Sequence, residues 1–417
     1  MGTVLVKLKG FQKLTLTDEA LQGWLSVLQI GKPKVAVVSL QDTLNRVLAE
    51  DVIAQEDLPR FDKSAVDGYA IKSADSLGAS QFKPATFQLT ENQELNDKQA
   101  KQVWTGNPIP KGANAAVMLE NTKKHDAKLE VWCQLAPGDN VSKKGEDIKK
   151  GDVAAKAGTR LNPYHIGLAA ALGYSKLKVA EKPKIAILAT GNELAEVGTQ
   201  LSGNLIYDSN KIMLLAMCTE LGAETADYDI AKDNVDEIAD KIQKALQNQD
   251  AVITTGGTSV GGLDLVPDAV NKLGKPGVIV HGVALRPAMP TALAMLQGKP
   301  VLILSGNPVA AIIGFEVFGR PMVCRLLGMS KTEPRPMLKA ILARRVASAL
   351  GRKTYVRVRV TLKNGEFYAE PVSAKGSGAI STMTQSNGFV IVPENREGIS
   401  EGETVVVHMF GSLEVED

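Results

Sequence analysis

The sequence predicts a multidomain α/β protein, a central doubly wound α/β domain with β-rich segments before and after it. Three observations lead there. Between residues 185 and 327, short apolar runs (185–189, 225–230, 251–255, 278–285 and 301–304) alternate with helical patterns at 208–221, 234–247, 265–273 and 309–327. Strands alternating with helices imply a parallel sheet covered on both faces. From 71 to about 140, and again from 338 to 417, short strands are cut by polar, glycine-rich turns with hardly a helical period. Finally, 417 residues exceed what one core accommodates, so two to four domains are expected, with Lys182-Pro183-Lys184 and Glu333-Pro334-Arg335-Pro336 as linkers.

Taken in order, Thr17 is placed to cap a helix over 18–28, whose Leu21, Trp24, Leu25 and Leu28 share a face. A second helical pattern covers 40–48. The stretch DLPRFDKSAVDGYA (57–70) reads as a loop holding Asp62 and Asp67 on either side of Ser64. Inside the small β domain, Thr105-Gly106-Asn107-Pro108-Ile109-Pro110-Lys111-Gly112 forms a rigid, turn-rich loop before a strand at 115–120. The charge run Lys143-Lys144-Gly145-Glu146-Asp147 suits a solvated hairpin. A helix over 162–172 stops at Gly173.

Composition excludes several classes of function. Apolar residues at 44% and charged residues at 23% are those of a soluble globular protein. Lysine and arginine number 48 against 46 acids, a net charge of +2, so neither nucleic acid nor an anionic membrane is expected as the main partner. Cys133, Cys218 and Cys324 are too few and too scattered for a disulfide framework, and no histidine pair has zinc-ligand spacing. With no signal pattern and no apolar run of membrane-spanning length, a cytoplasmic location is expected.

The chemistry is expected around AVITTGGTSVGGLD (251–264). A strand, a glycine turn and a helix N-terminus make an anion cradle, because paired glycines let backbone N–H groups approach a phosphate; Asp264 is placed to cap that helix. No Gly-Lys-Ser/Thr follows, so this is not a Walker loop, and alone it is equally well an ordinary strand-to-helix turn. Two other strands end in related chemistry, Thr190-Gly191-Asn192-Glu193 and Ser305-Gly306-Asn307-Pro308. Ligands of open parallel sheets lie beyond the carboxyl ends of the strands, so a phosphorylated ligand is favoured. Glu193, Asp264, Asp229 and Asp233 gather on the same rim, and carboxylates beside phosphates suggest Mg2+.

FDKSAVDGYA (61–70), TGNPIPKGANAAVMLE (105–120), KKGEDI (143–148), TGNEL (190–194), YDSN (207–210), TTGGTSVGGLD (254–264) and SGNPVAA (305–311) occur together in this order. In this the chain closely resembles the molybdopterin molybdenumtransferases, the MoeA proteins and the gephyrin E-domain. The resemblance implies an α/β domain of molybdopterin-binding type at 179–330, a small β domain at 58–140, a discontinuous linking domain at 11–57 plus 141–178, and a C-terminal β domain at 335–417. It further implies a homodimer that takes adenylylated molybdopterin and molybdate, cleaves the adenylyl group with Mg2+ and inserts the metal. The molybdopterin adenylyltransferase and acceptor molybdoenzymes are implied as protein partners.

Carried over by position, Asp67, Thr105, Glu193 and Asp264 take catalytic roles. Gly256, Gly257, Ser259, Asp208, Ser305, Asn307, Pro308 and Arg286 contact substrate, and Asp264, Glu193 and Asp233 hold metal. In the family the β-domain loops of one subunit face the α/β domain of the other. The chain departs from the usual Lys-Pro-Gly-Lys-Pro segment at Arg286-Pro287-Ala288-Met289-Pro290, where Ala288 is expected to restrict the turn and Met289 to remove a charge. A gephyrin-like scaffold and a molybdopterin adenylylating enzyme on the same α/β module are the competing readings. The choice between molybdenum and tungsten stays open.

Overall fold

The computed structural model describes residues 14–28, 33–258, 264–329, 331–372 and 376–415. The chain forms two compact units, one of residues 37–179 and one of residues 1–36 together with 180–417.

In the first unit a six-stranded sheet runs in the order Ala115–Met118, Gly68–Ile71, Gln99–Val103, Ala85–Leu89, Lys128–Val131, Thr122–His125. Alternation along these strands buries Tyr69, Ile71, Phe87, Val117, Leu129 and Val131 on one face. The stretch expected to be all loop contains a short strand, Lys63–Ser64, which pairs with Val141–Ser142. Nearby, Val52–Ile53 pairs with Val153–Ala155. The charge run folds back on acids. Lys143 and Lys144 pair with Asp62 and Asp57, and the Lys144 N–H donates to Asp62. Backbone N–H groups of Lys150 and Lys144 hold the Asp57 and Asp62 carboxyls below their usual range. The helix Pro163–Ala171 begins at a full capping box between Asn162 and His165. The helical pattern at 40–48 is not a helix beyond the short turn Leu40–Asp42. Val47 and Leu48 instead make isolated bridges to Arg160 and Val179, burying apolar residues that the pattern assigned to a helix face.

In the second unit a six-stranded sheet runs Glu224–Ala231, Lys184–Thr190, Ala251–Thr255, Lys299–Leu304, Ala292–Leu296, Gly277–His281. The first four strands are parallel, as the strand–helix alternation predicts. Ala292–Leu296 is antiparallel to both its neighbours, so the sheet is mixed. Ala292–Leu296 escaped the sequence reading because it reaches Lys299–Leu304 by a two-residue hairpin with no helix between. The predicted strand at 278–285 is two pieces. Gly277–His281 stays in this sheet, while Leu285–Arg286 pairs with Lys353–Lys363 in a separate seven-stranded C-terminal sheet. Ile238, Ile242, Leu246, Val266 and Val270 of two helices pack on Leu188, Val252, Val301 and Ile303.

The long apolar helix predicted at 309–327 is continuous but uneven: Pro308–Gly314, a widened π segment Phe315–Gly319, then Arg320–Leu326. Pro321, which cannot donate a helical hydrogen bond, sits just past the widened turn. The first helix, Thr17–Val27, lacks the expected cap. The Thr17 hydroxyl donates to the Ala284 carbonyl at 3.0 Å and anchors the helix to the unit instead, while Trp24 meets Phe318 edge-on. Among the described residues no helix is long and apolar enough to cross a membrane.

Candidate active site and its two chambers

The three strand ends singled out in the sequence lie side by side. Ala189 is opposite Thr255, Thr255 is opposite Leu304, and the Gly256 N–H donates to the Leu304 carbonyl at 3.1 Å. Asn210, the second residue of the helix Ser209–Glu220, ties two of them together by donating to Thr255 Oγ1 at 3.1 Å and to the Gly306 carbonyl at 2.8 Å. Gly256 (φ +92°) and Gly257 (φ +63°) make the turn, and neither position tolerates a side chain. A Cβ on Gly256 would fall 2.3 Å from the Thr190 carbonyl oxygen, and one on Gly257 would fall 2.6 Å from Val266 Cγ2. The glycines are therefore needed by the packing of the strand ends as well as by any ligand.

Above these ends opens a chamber of about 290 Å3 lined by Thr190, Glu193, Asp208, Asn210, Gly256, Asn307 and Pro308 among others. Asp208 caps its helix by accepting from the Lys211 N–H at 3.0 Å through Oδ1. Its Oδ2 is buried and accepts no hydrogen bond among the described residues, as is also true of Thr190 Oγ1 and Asn210 Oδ1. Burial pushes the Asp208 carboxyl above its ordinary value despite the Lys211 bond. Lys211, itself fully buried, bonds Glu196 and Asp227, each at 2.9 Å; burial opposes its charge, but these two acids outweigh it and hold the ammonium above its usual pKa. Asp208 Oδ2 faces the Lys211 ammonium at 4.0 Å, and buried polar atoms that lack a hydrogen bond suit a ligand site.

The acids predicted on the rim separate. Glu193 faces the chamber and lies across Gly191. Asp233 exchanges hydrogen bonds with Asn192, each 3.2 Å, and so fixes the turn that presents Glu193. Asp229 lies within Glu224–Ala231 at a bulge with φ +42°, facing Lys241, rather than at the strand end. Asp264 does not cap its helix through the side chain; its carbonyl accepts the Asp268 N–H at 3.0 Å, and its Oδ1 lies 3.8 Å from His281 Nε2. It is not part of the chamber's lining. Ser259 lies outside the described residues.

A second chamber, about 660 Å3, is lined by Arg286, Pro287, Ala288, Met289, Ser305 and Asn307 and, from the C-terminal sheet and its neighbouring segments, by Arg344, Arg345, Arg352, Arg357 and Ser377. Five arginines converge here. Arg344 is neutralised by Glu370, whereas the half-buried Arg357 has an Nε with no acceptor among the described residues, and burial lowers its pKa. The sequence reading caught only Arg286, because the other four arginines are scattered over a β segment with no motif to mark them. Ala288 adopts φ +89°, a conformation that favours glycine, as its departure from the usual pattern leads one to expect.

In the other unit, Thr105 donates both its N–H (2.7 Å) and its hydroxyl (2.9 Å) to Asp67 Oδ1. The two bonds hold this exposed carboxyl below its usual range.

Three sequence profiles match in succession: the MoeA N-terminal region (domain I and II) over residues 15–173, a probable molybdopterin binding domain over 186–325, and the MoeA C-terminal region (domain IV) over 339–410. A putative molybdopterin biosynthesis protein of Methanocaldococcus jannaschii is 40% identical, covering 90% of this chain and 92% of that one. The chain belongs to the MoeA family. Another relative, the molybdopterin molybdenumtransferase of Staphylococcus aureus, is 36% identical over 91% of this chain and 92% of its own. The fold agrees with the crystal structure of the MoeA protein of Pyrococcus horikoshii OT3 at a TM-score of 0.82 and 31% identity, covering 95% of this chain and all of the other. In this MoeA chain both chambers lie within the unit that carries the molybdopterin-binding and C-terminal regions.

Proposed function

We propose that this protein is a molybdopterin molybdenumtransferase that inserts molybdenum from molybdate into adenylylated molybdopterin, releasing AMP. The observation that carries the reading is the pairing of two unlike chambers that share Asn307. One is a chamber of hydroxyls, side-chain amides and carboxylates at three strand ends, and the other is a cavity walled by arginines. The first suits the substrate's phosphates and the second a tetrahedral oxyanion such as molybdate.

On this reading Gly256, Gly257, Asn307 and Pro308 position the phosphates, and Asp208, Asn210 and Thr190 offer buried polar atoms to the rest of the substrate. Ser259 keeps its substrate role from the sequence pattern alone. Arg286, Arg357 and Ser305 hold the oxyanion. Asp67 and Thr105 complete the site from the β domain, which we place against the α/β domain of the partner in a homodimer. The four-part division of the chain belongs to the same proposal, supported by the pairing of Val52–Ile53 with Val153–Ala155 across the intervening β domain.

The donor chemistry fits Mg2+. Glu193 and Asp208 give hard oxygens at the cradle and Asp264 follows it, while Asp233 contributes by holding the Glu193 turn. Among the described residues no three acidic, histidine or cysteine side chains form a complete cage, which suits a cation that takes its remaining ligands from water and phosphate. When bound, it would offset the charge of the phosphoanhydride and polarise it toward hydrolysis. We place the protein in a reducing, cytoplasmic setting; of its three cysteines, Cys218 and Cys324 are buried. The adenylyltransferase that supplies the substrate and the acceptor enzymes that take the product are proposed protein partners.

Metal-cofactor formation from adenylylated molybdopterin and molybdate tests the reading. Asp67→Ala and Asp264→Ala should each abolish it while far-UV circular dichroism and the thermal midpoint stay near the parent. Turnover like the parent's in both variants would remove the site assignment.

A further inference from the structure

We propose that Trp104 is a stacking platform for the pterin ring of the substrate and works with Asp67 as one clamp. The inference rests on the molybdenumtransferase reading and adds a residue to it. Trp104 is half exposed, at 50%, although a tryptophan is normally well buried. Its exposure is not that of a loose tip. The Trp104 N–H donates to Asn107 Oδ1 at 3.1 Å and the Asn107 N–H donates back to the Trp104 carbonyl at 2.8 Å, closing a tight turn around Gly106.

The sheet register then sets what lies beside it. Gly68 is opposite Val103 in the last antiparallel pair, so Asp67 and Trp104 leave the two strands at the same end, and Thr105, next to Trp104, reaches Asp67. Thr105 donates both its bonds to Asp67 Oδ1, leaving Oδ2 with no bond among the described residues. An open carboxylate oxygen beside an exposed indole matches one kind of heterocycle. A pterin presents its 2-amino group and N3–H as adjacent donors along one edge and a flat face for stacking. Adenine is a poorer match, since its amino donor is flanked by a ring nitrogen that would face the carboxylate lone pairs. The Thr105 bonds also favour the ionised form of the Asp67 carboxyl.

Steady-state kinetics with adenylylated molybdopterin and molybdate test the clamp. Base-type stacking on an aromatic residue predicts that Trp104→Ala raises KM for the pterin substrate about tenfold or more, with KM for molybdate unchanged, and that Trp104→Phe recovers most of the loss. Quenching of tryptophan fluorescence on adding the substrate should vanish in Trp104→Phe, because the other tryptophans keep their surroundings. AMP separates the two rings of the substrate: its inhibition constant should not move in Trp104→Ala. A KM within twofold of the parent, or equal losses in both KM values with no rescue by phenylalanine, overturns the proposal; weakened AMP inhibition reassigns the platform to adenine and overturns it equally. Asp67→Asn distinguishes the levels. If it abolishes turnover while Trp104→Ala does nothing, only the clamp fails; if it too has no effect, the β-domain site assignment fails with it.

Discussion

The smaller chamber is walled by carboxylates, hydroxyls and backbone groups, whereas the larger one is walled by guanidinium groups from two parts of the same unit. Both suit anions, yet by opposite means. At the strand ends the attraction comes from the N-termini of the helices Ser209–Glu220 and Pro308–Gly314, and the nearby acids repel a phosphate unless a cation sits between them. In the arginine chamber the charge is supplied outright, and Arg357 already bears the desolvation that an anion would relieve. The difference teaches that, on the proposed reading, the first chamber would select by shape and be intolerant of added atoms, while the second would select by charge and be sensitive to the number of cations.

Gly256→Ala should break this contrast most severely. It forces a Cβ toward the Thr190 carbonyl at a φ of +92°, so a loss of about 2–5 kcal/mol is expected from strain and overpacking together. Urea unfolding measures it, and a change below about 0.5 kcal/mol would mean that the turn is looser than described. In the arginine chamber, Arg357→Met should raise KM for molybdate about tenfold to a hundredfold, the value of a charged hydrogen bond, without lowering the thermal midpoint. An equal rise in KM for the pterin substrate would show that the chambers do not divide the two substrates.

Asp208→Asn preserves a good helix cap while removing a buried charge, so it should slow turnover yet raise stability at neutral pH by about 1 kcal/mol. The sign follows from the raised carboxyl. Its contribution to stability is complete below the ordinary carboxylate range and is lost as pH rises through the higher folded value. The variant should therefore flatten the stability profile across that interval, and an unchanged profile would assign the pH dependence elsewhere. Ala288→Gly should gain about 0.5 kcal/mol, because relief at φ +89° slightly exceeds the extra entropy of the unfolded glycine. The smallest effect is expected from Met289→Lys, which restores a charge at the rim and should lower KM for molybdate about threefold.

How much of this was legible in the sequence depended on whether the determinants were local. The parallel strands at 185–189, 251–255 and 301–304 declared themselves as apolar runs ending in glycine, and the ends so marked lie side by side. Glu193, Asp208 and Gly256 meet there as their motifs suggested. What failed was non-local. Thr17 looked like a cap because its neighbours are helical, but its hydroxyl reaches a carbonyl of Ala284, and no pattern in sequence records such a contact. Asp264 looked like another cap for the same reason. The arginine chamber was mostly invisible, since Arg286 and Arg357 lie 71 positions apart and are brought together through the pairing of Leu285–Arg286 with Lys353–Lys363. Lys211 carried a weak signal, a lone cation in an apolar helix, that deserved reading as a buried counter-ion.

Asn307 belongs to the walls of both chambers. A ligand that turns this amide from one side alters what the other side can offer. If the two chambers take the oxyanion and the pterin nucleotide as proposed, linkage requires each to change the other's affinity by one common factor, whichever arrives first. A single asparagine would thereby give the two halves of the reaction a thermodynamic conversation that holds in either order of loading.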